Sequence, residues 1–186
     1  MNREAFLGVE IDLLKRISSG DEKAFKQLYD LTHRKIYFYL YRLVRRKQMV
    51  EDILVETYTE VWKNASKFKG RSRVCTWMIG IARNLAMNEL KKLKVHEDIE
   101  EFEEQLQVSP LEEDPLDRKR LIQKALLKLS LKHREVLDLV FFHDLTYKEV
   151  SEILDIPTNT VKTRVFYAKE SLKQSLNQIG VNKDDI

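Results

Sequence analysis

Residues 145–172 read LTYKEVSEILDIPTNTVKTRVFYAKESL, and this stretch decides the fold class. Thr146, with Glu149 three residues on, forms the capping-box pattern that opens a short helix. That helix sets Val150, Ile153 and Leu154 on one side. Asp155-Ile156-Pro157 ends it, because proline lacks an N–H and disfavours helical geometry in the residue before it. Thr158 or Asn159 is expected to cap a second helix, which turns Val161 and Val165 inward with Phe166 alongside. Two short helices joined by a tight turn have helix-turn-helix spacing. In such units the N-terminal end of the second helix enters the major groove of DNA. Here that end carries Thr158, Asn159, Thr160, Lys162, Thr163 and Arg164. These short polar and long cationic side chains suit base edges and phosphates. A helical hairpin with a merely polar outer face fits the same pattern.

Working outward, the segment HEDIEEFEEQLQVSPLEEDPLD at residues 96–117 marks a boundary. It holds ten acids, no Lys or Arg, and two of the three prolines. Its like charges repel, so an extended, flexible linker is expected there. The overall charge of +3 is therefore unevenly spread. Residues 1–95 carry 20 Lys/Arg against 11 Asp/Glu, and residues 118–186 carry 13 against nine. Two basic blocks flanking an acidic tether fit two units that approach a polyanion. An ordinary solvated surface gives the same balance.

Ahead of the tether, apolar residues recur at helical spacing in four segments. The first, about 9–18, presents Ile11, Leu13, Leu14 and Ile17, and stops at Ser19-Gly20-Asp21. The second, about 22–46, presents Phe25, Leu28, Tyr29, Ile36, Tyr39, Leu40 and Leu43. The third, about 50–67, presents Ile53, Leu54, Tyr58, Val61 and Trp62. Gly70 breaks the pattern, Ser72 is placed to cap, and a fourth helix at about 73–95 presents Trp77, Ile81, Leu85 and Leu90. Helices at about 118–129, 133–142, 147–154 and 158–177 follow the tether. The expected fold is all-α, with two small helical domains, 1–95 and 118–186, the second containing the helix-turn-helix.

Composition narrows the function. The single cysteine, Cys75, cannot form an internal disulfide, and His33, His96, His133 and His143 are scattered, so no metal site is expected. No glycine-rich phosphate loop is present and the acidic pairs read as helix faces, so neither a cofactor nor an enzyme is expected. The N-terminus lacks a basic stretch followed by an apolar run, and no apolar run approaches the roughly 20 residues of a membrane span. A reduced cytoplasmic setting without membrane insertion is expected. A helix-turn-helix regulator with an N-terminal sensing bundle, or a purely protein-binding helical chain, are the competing classes.

Residues 129–176, LSLKHREVLDLVFFHDLTYKEVSEILDIPTNTVKTRVFYAKESLKQSL, resemble the promoter-reading C-terminal domain of extracytoplasmic-function (ECF) sigma factors. Response-regulator output domains share the recognition-helix pattern. AFKQLYDLTHRKIYFYLYRLV at 24–44, EDILVETYTEVWKNASKFKG at 51–70 and CTWMIGIARNLAMNELKK at 75–92 are similar, in order and spacing, to the N-terminal domain of the same family. The match departs at Val55, where Gln is common, at Asn159, where a small residue is usual, and at Tyr167, often Arg.

The resemblance implies an alternative sigma factor that binds core RNA polymerase, through its largest and second-largest subunits, and directs it to promoter DNA. It further implies that Asp52, Glu56 and Glu60, four residues apart on one helical face, meet the polymerase. The loop and helix bearing Lys69, Arg71, Ser72, Arg73, Arg83, Asn84 and Asn88 would read and melt the −10 element, and the recognition helix would read the −35 element. An anti-sigma factor is the regulatory partner the family implies.

Overall fold

The computed structural model describes residues 3–96 and 118–179. It divides into two compact units, Met1–Leu106 and Gln107–Ile186. The described residues form helices and turns, with no strand among them. The acidic tether, apart from His96, lies outside the described residues.

In the first unit, α1 is Arg3–Ser18, α2 Glu22–Val44, α3 Lys47–Asn64 and α4 Val74–His96. A 3₁₀ turn at Ala65–Lys67 follows α3. The first helix therefore begins six residues ahead of the apolar stripe that announced it. Gly20, at φ +86°, takes the left-handed conformation that closes α1, its N–H donating to the Ile17 carbonyl. Asp21 then caps α2 by accepting from the Ala24 N–H at 3.0 Å. That hydrogen bond and the Arg16 guanidinium at 2.8 Å hold the Asp21 carboxyl below its usual range.

The core draws on all four helices: Leu13, Leu14 and Ile17; Leu28, Ile36 and Leu40; Val50, Ile53 and Val61; Met78, Ile79 and Ala82. On α4 the buried face differs from the expected stripe. Val74, Met78, Ile79, Ala82 and Ala86 are buried, whereas Trp77, Ile81 and Leu85 lie half-buried on the flank. Small alanines let α4 approach α2 and α3 closely, and the larger apolar groups move to the side. Ile11 is likewise exposed, and Glu10 takes the buried position beside Leu13 and Leu14.

In the second unit, α5 is Arg118–Leu127, α6 Leu131–Leu137, α7 Tyr147–Leu154 and α8 Thr158–Gln178. A π-helical turn, Asp138–Phe142, extends α6. Helices α5, α6 and α7 all pack on α8. Val136, Leu139, Val150, Leu154, Val161, Val165 and Ala168 make the core. A polar layer is buried with it: Arg134, Glu135 and Asp138, with His143 Nε2 3.4 Å from Asp138 Oδ2. The capping box of α7 is complete. The Glu149 N–H donates to Thr146 Oγ1 at 3.3 Å, and the Thr146 N–H donates to Glu149 Oε2 at 2.8 Å. Replacing Thr146 by alanine removes one half of it. The second unit should lose about 0.5–2 kcal/mol, read as a lower denaturant midpoint at unchanged slope.

Candidate nucleic-acid interface

The helix-turn-helix is built by α7, a three-residue turn and α8. Asp155 sits in the left-handed region at φ 53°, a conformation that Asp tolerates better than most residues. The Ile156 N–H donates to the Ser151 carbonyl at 3.2 Å, and Ser151 Oγ donates to the Ile156 carbonyl at 2.6 Å, so the turn is closed twice. Pro157, extended at φ −57° and ψ 144°, is the N-cap of α8 and makes no side-chain cap bond. This corrects the expected Thr158 or Asn159 cap. The fixed proline φ moves the helix start one residue earlier, and its carbonyl accepts from Val161. The first N–H groups of α8 thus have no side-chain cap, a suitable arrangement for a phosphate oxygen.

On α8, Val161 and Val165 are buried while Asn159, Thr160, Lys162 and Thr163 are exposed; Thr158 and Arg164 are half-buried at the edge. The six candidates therefore share the free end and outer side of one helix. Thr163 Oγ1 donates to the Asn159 carbonyl at 3.0 Å. A threonine methyl is one of the groups that reads the methyl of thymine. Phe166, expected alongside the core, is instead 61% exposed beside Tyr167, the rings 5.5 Å apart.

In the first unit, the residues 68–73 join the 3₁₀ turn to α4. Gly70 at φ +66° makes the bend. Lys69 and Arg71 are exposed, and Ser72 and Arg73 are half-buried. Ser72 does not cap α4; its hydroxyl donates to the Arg73 carbonyl at 3.3 Å. Trp77 packs on Phe68 at the base of the loop, ring centroids 5.3 Å apart. Asn84 and Asn88 are exposed one turn apart on α4, with Arg83 half-buried next to them. The loop thus sets its cations beside a partly open aromatic pair, and α4 carries the amides about three and four turns further along.

The acidic face of α3 is more divided than its spacing implied. Asp52 and Glu56 are exposed. Glu60 is half-buried, accepting from Asn64 Nδ2 at 2.9 Å and pairing with Lys63 at 3.4 Å. Beside this face runs an apolar groove between α2 and α3, lined by Phe25, Tyr29, Val55, Tyr58 and Trp62 among others. Val55 is 68% exposed. Phe25 meets Trp62 edge-on at 5.2 Å and Tyr29 lies 4.8 Å from Tyr58. Reading these aromatics as core concealed the groove. The signal was a stripe on α2 and α3 wider than two neighbouring helices can cover.

Cys75 occupies the first turn of α4. Burial pushes its thiol up to about 11, and the neighbouring Glu10 carboxylate adds to the rise. Sequence reasoning missed Glu10 itself, although it falls in step with Leu13, Leu14 and Ile17.

Comparison with known proteins agrees with this architecture. The model for Sigma-70 region 2 matches residues 28–95, and that for Sigma-70, region 4 matches residues 119–172. The chain is thus a sigma-70-class transcription factor with both units accounted for. The ECF RNA polymerase sigma factor SigW of Bacillus subtilis is 30% identical over 179 residues, covering 89% of this chain and 96% of its own. SigK of Mycobacterium tuberculosis, also an ECF RNA polymerase sigma factor, is 28% identical over 172 residues, covering 89% and 92%. Among solved structures, the sigma factor RpoE of Bartonella quintana, in complex with the anti-sigma factor NepR, superposes with a TM-score of 0.71 at 25% identity, over 83% of this chain and 98% of that one. CnrH, in complex with the cytosolic domain of CnrY, gives 0.67 at 18% identity, over 91% and 98%, a likeness of fold.

The chain belongs to the ECF sigma factors of RNA polymerase. It is an alternative sigma factor, directing the polymerase to promoters.

The raised thiol pKa makes a local prediction. Only the thiolate is nucleophilic, so Cys75 in the folded protein should alkylate far more slowly with iodoacetamide at pH 8 than in the unfolded chain. Mass spectrometry of the time course reads the difference, and equal rates would show that the site is open.

Proposed function

We propose that the two units divide promoter recognition between them. The second unit, 118–186, reads the −35 element as duplex, through Thr158, Asn159, Thr160, Lys162, Thr163 and Arg164. The first unit, 1–95, binds the core polymerase and captures the −10 element as it opens. The observation that carries this reading is the outward N-terminal end of α8, polar and without a side-chain cap, above the buried Val161, Val165 and Ala168. A helix so anchored can enter a major groove without exposing its core.

Capture of an unpaired strand calls for different chemistry: cations along the backbone and an aromatic or polar pocket for a splayed base. Lys69, Arg71, Ser72 and Arg73, with Arg83, Asn84 and Asn88, supply the polar and cationic part. Trp77 and Phe68 form the aromatic floor. The core polymerase would meet Asp52 and Glu56, with Glu60 holding the end of α3 and the apolar groove beside them adding buried area. The acidic stretch of residues 96–117 tethers the two units. At full extension its 22 residues reach about 73–79 Å, enough for two elements one to two helical turns apart.

This reading makes the protein a non-enzymatic subunit without a cofactor, working in the cytoplasm. No described helix is long and apolar enough to cross a membrane. RpoE and CnrH were each solved with a partner, the first named an anti-sigma factor, which supports an anti-sigma factor as this chain's regulator as well.

Transcription with purified core polymerase, followed by start-site sequencing, tests the whole reading, and absence of promoter-selective initiation would sink it. Two sets of variants test the parts. Charge reversal at Asp52 and Glu56 should weaken core binding, and added salt should weaken the wild-type complex more than the variant; equal affinities would remove this face from the interface. Lys162→Ala and Arg164→Ala should each cost about 1–3 kcal/mol at a base contact and relax preference at one promoter position, or weaken all promoters alike at a phosphate. Promoter competition assays separate these outcomes, and unchanged selection in both would exclude α8 as the reader.

A further inference from the structure

We propose that Glu10 is a positioning residue for the strand-capturing loop at residues 68–73, which it holds from α1. The inference rests on the role proposed above for that loop.

Glu10 is 2% exposed, a carboxylate inside the first unit. It accepts a hydrogen bond from the backbone N–H of Cys75, the second residue of α4, and lies within the electrostatic reach of Lys35 on α2 and Arg73 at the end of the loop. The opening N–H groups of a helix have no partner within it, and negative charge there is favoured by the helix dipole. Ser72 does not meet that need, so Glu10 acts as a cap brought in from another helix.

The same helix also packs against the 3₁₀ turn at Ala65–Lys67, where the loop begins. Helix α1 therefore touches both the departure and the return of the loop. Only six residues lie between, with Gly70 as the bend.

Burial raises the Glu10 carboxyl, while Lys35, the Cys75 N–H and Arg73 act the other way. An apolar side chain would fill the same space without that electrostatic cost. What a carboxylate adds is direction, a hold on one backbone N–H and an attraction for Lys35 and, more weakly, for the Arg73 guanidinium. Arg73 is thus drawn toward the unit while Lys69 and Arg71 stay exposed. A loop set in this way meets an unpaired strand with less ordering still to do.

The test uses holoenzyme reconstituted with wild type, Glu10→Gln, Glu10→Ala, or a Lys69→Ala/Arg71→Ala double variant. The probe is a fluorescent single-stranded oligonucleotide carrying the −10 element of a promoter located by start-site sequencing. Melting temperature and core affinity are measured alongside. Glu10→Gln retains an acceptor and relieves the buried charge, so it should fold and bind core as wild type does. It should bind the oligonucleotide about tenfold more weakly, because the bond to the Cys75 N–H becomes a neutral one and the charge facing Lys35 and Arg73 is gone. In the wild type, oligonucleotide affinity should fall as pH is lowered toward the raised Glu10 pKa, because protonation removes the charge facing Arg73 and Lys35; in Glu10→Gln it should not.

Wild-type oligonucleotide binding by Glu10→Gln, with weak binding by the double variant, overturns the role of Glu10 and leaves the loop's role standing. Parallel loss of melting temperature, core affinity and oligonucleotide binding in Glu10→Gln shows a structural role only, and also overturns it. Wild-type binding by the double variant removes the loop from strand capture, and this inference with it.

Discussion

The faces of the first unit depend on one buried hydrogen bond. Tyr58 on α3 lies 2.6 Å from Thr32 Oγ1 on α2. Thr32 already donates its proton to the Leu28 carbonyl at 2.7 Å, so the Tyr58 hydroxyl is the donor between them. Burial raises the pKa of that hydroxyl and keeps it protonated, as a donor must be. A buried hydroxyl without a partner is costly, so α3 cannot rotate against α2 without losing this bond. That single angular setting turns Val50, Ile53, Thr57 and Val61 inward. It leaves Asp52, Val55 and Glu56 outward together. The acidic face and the groove beside it follow from the same constraint.

The second unit solves a related problem differently. Its recognition helix must be rigid yet give up its first turn to DNA. Asp155 ends α7 in a left-handed conformation, and Pro157 starts α8 with fixed φ. Rigidity thus comes from backbone geometry and the Ser151–Ile156 hydrogen bonds. Side-chain capping, which would occupy the N–H groups at the DNA end, is kept to the supporting helices, with Ser130 capping α6 and the Thr146–Glu149 box capping α7.

Much of this was legible in the sequence because it is local. The eight helices, the two units, the capping box at Thr146 and the turn at Asp155-Ile156-Pro157 each depend on neighbours within a few residues. What escaped depends on distant partners. Apolar period identifies α4 as a helix but ranks Trp77 and Leu85 above Ala82 and Ala86, whereas close packing of three helices favours the small residues at the centre. Phe166 is apolar by type and exposed by position, since Val161, Val165 and Ala168 already complete the inner stripe of α8. Glu10 was invisible for a further reason. Its use is to cap a helix 64 residues away, and no local rule relates the two. Of the candidate site residues, those on α8 and Asp52 and Glu56 on α3 fall where helical spacing places them, whereas Glu60 is half-buried against Asn64. The loop residues Lys69, Arg71, Ser72 and Arg73 came from the family resemblance instead, because spacing has no meaning across a glycine bend.

Charge separation within the first unit follows from helix length. Asp52 lies toward the start of α3 and Glu56 at its middle, and the basic loop departs beyond its end. From Asp52 to Asn64 is about 18 Å along the axis at 1.5 Å per residue. The Debye length at physiological salt is about 8 Å, so acids and cations at the two ends are largely screened from each other. Nearer pairs are held locally: Glu60 by Asn64 and Lys63, and Lys92 by Glu89 at 2.6 Å, a bond that raises the lysine pKa. A basic protein can therefore present an acidic surface to one macromolecule and a cationic surface to another. A shorter α3 would bring the two within screening distance, where each would compete with the other's partner.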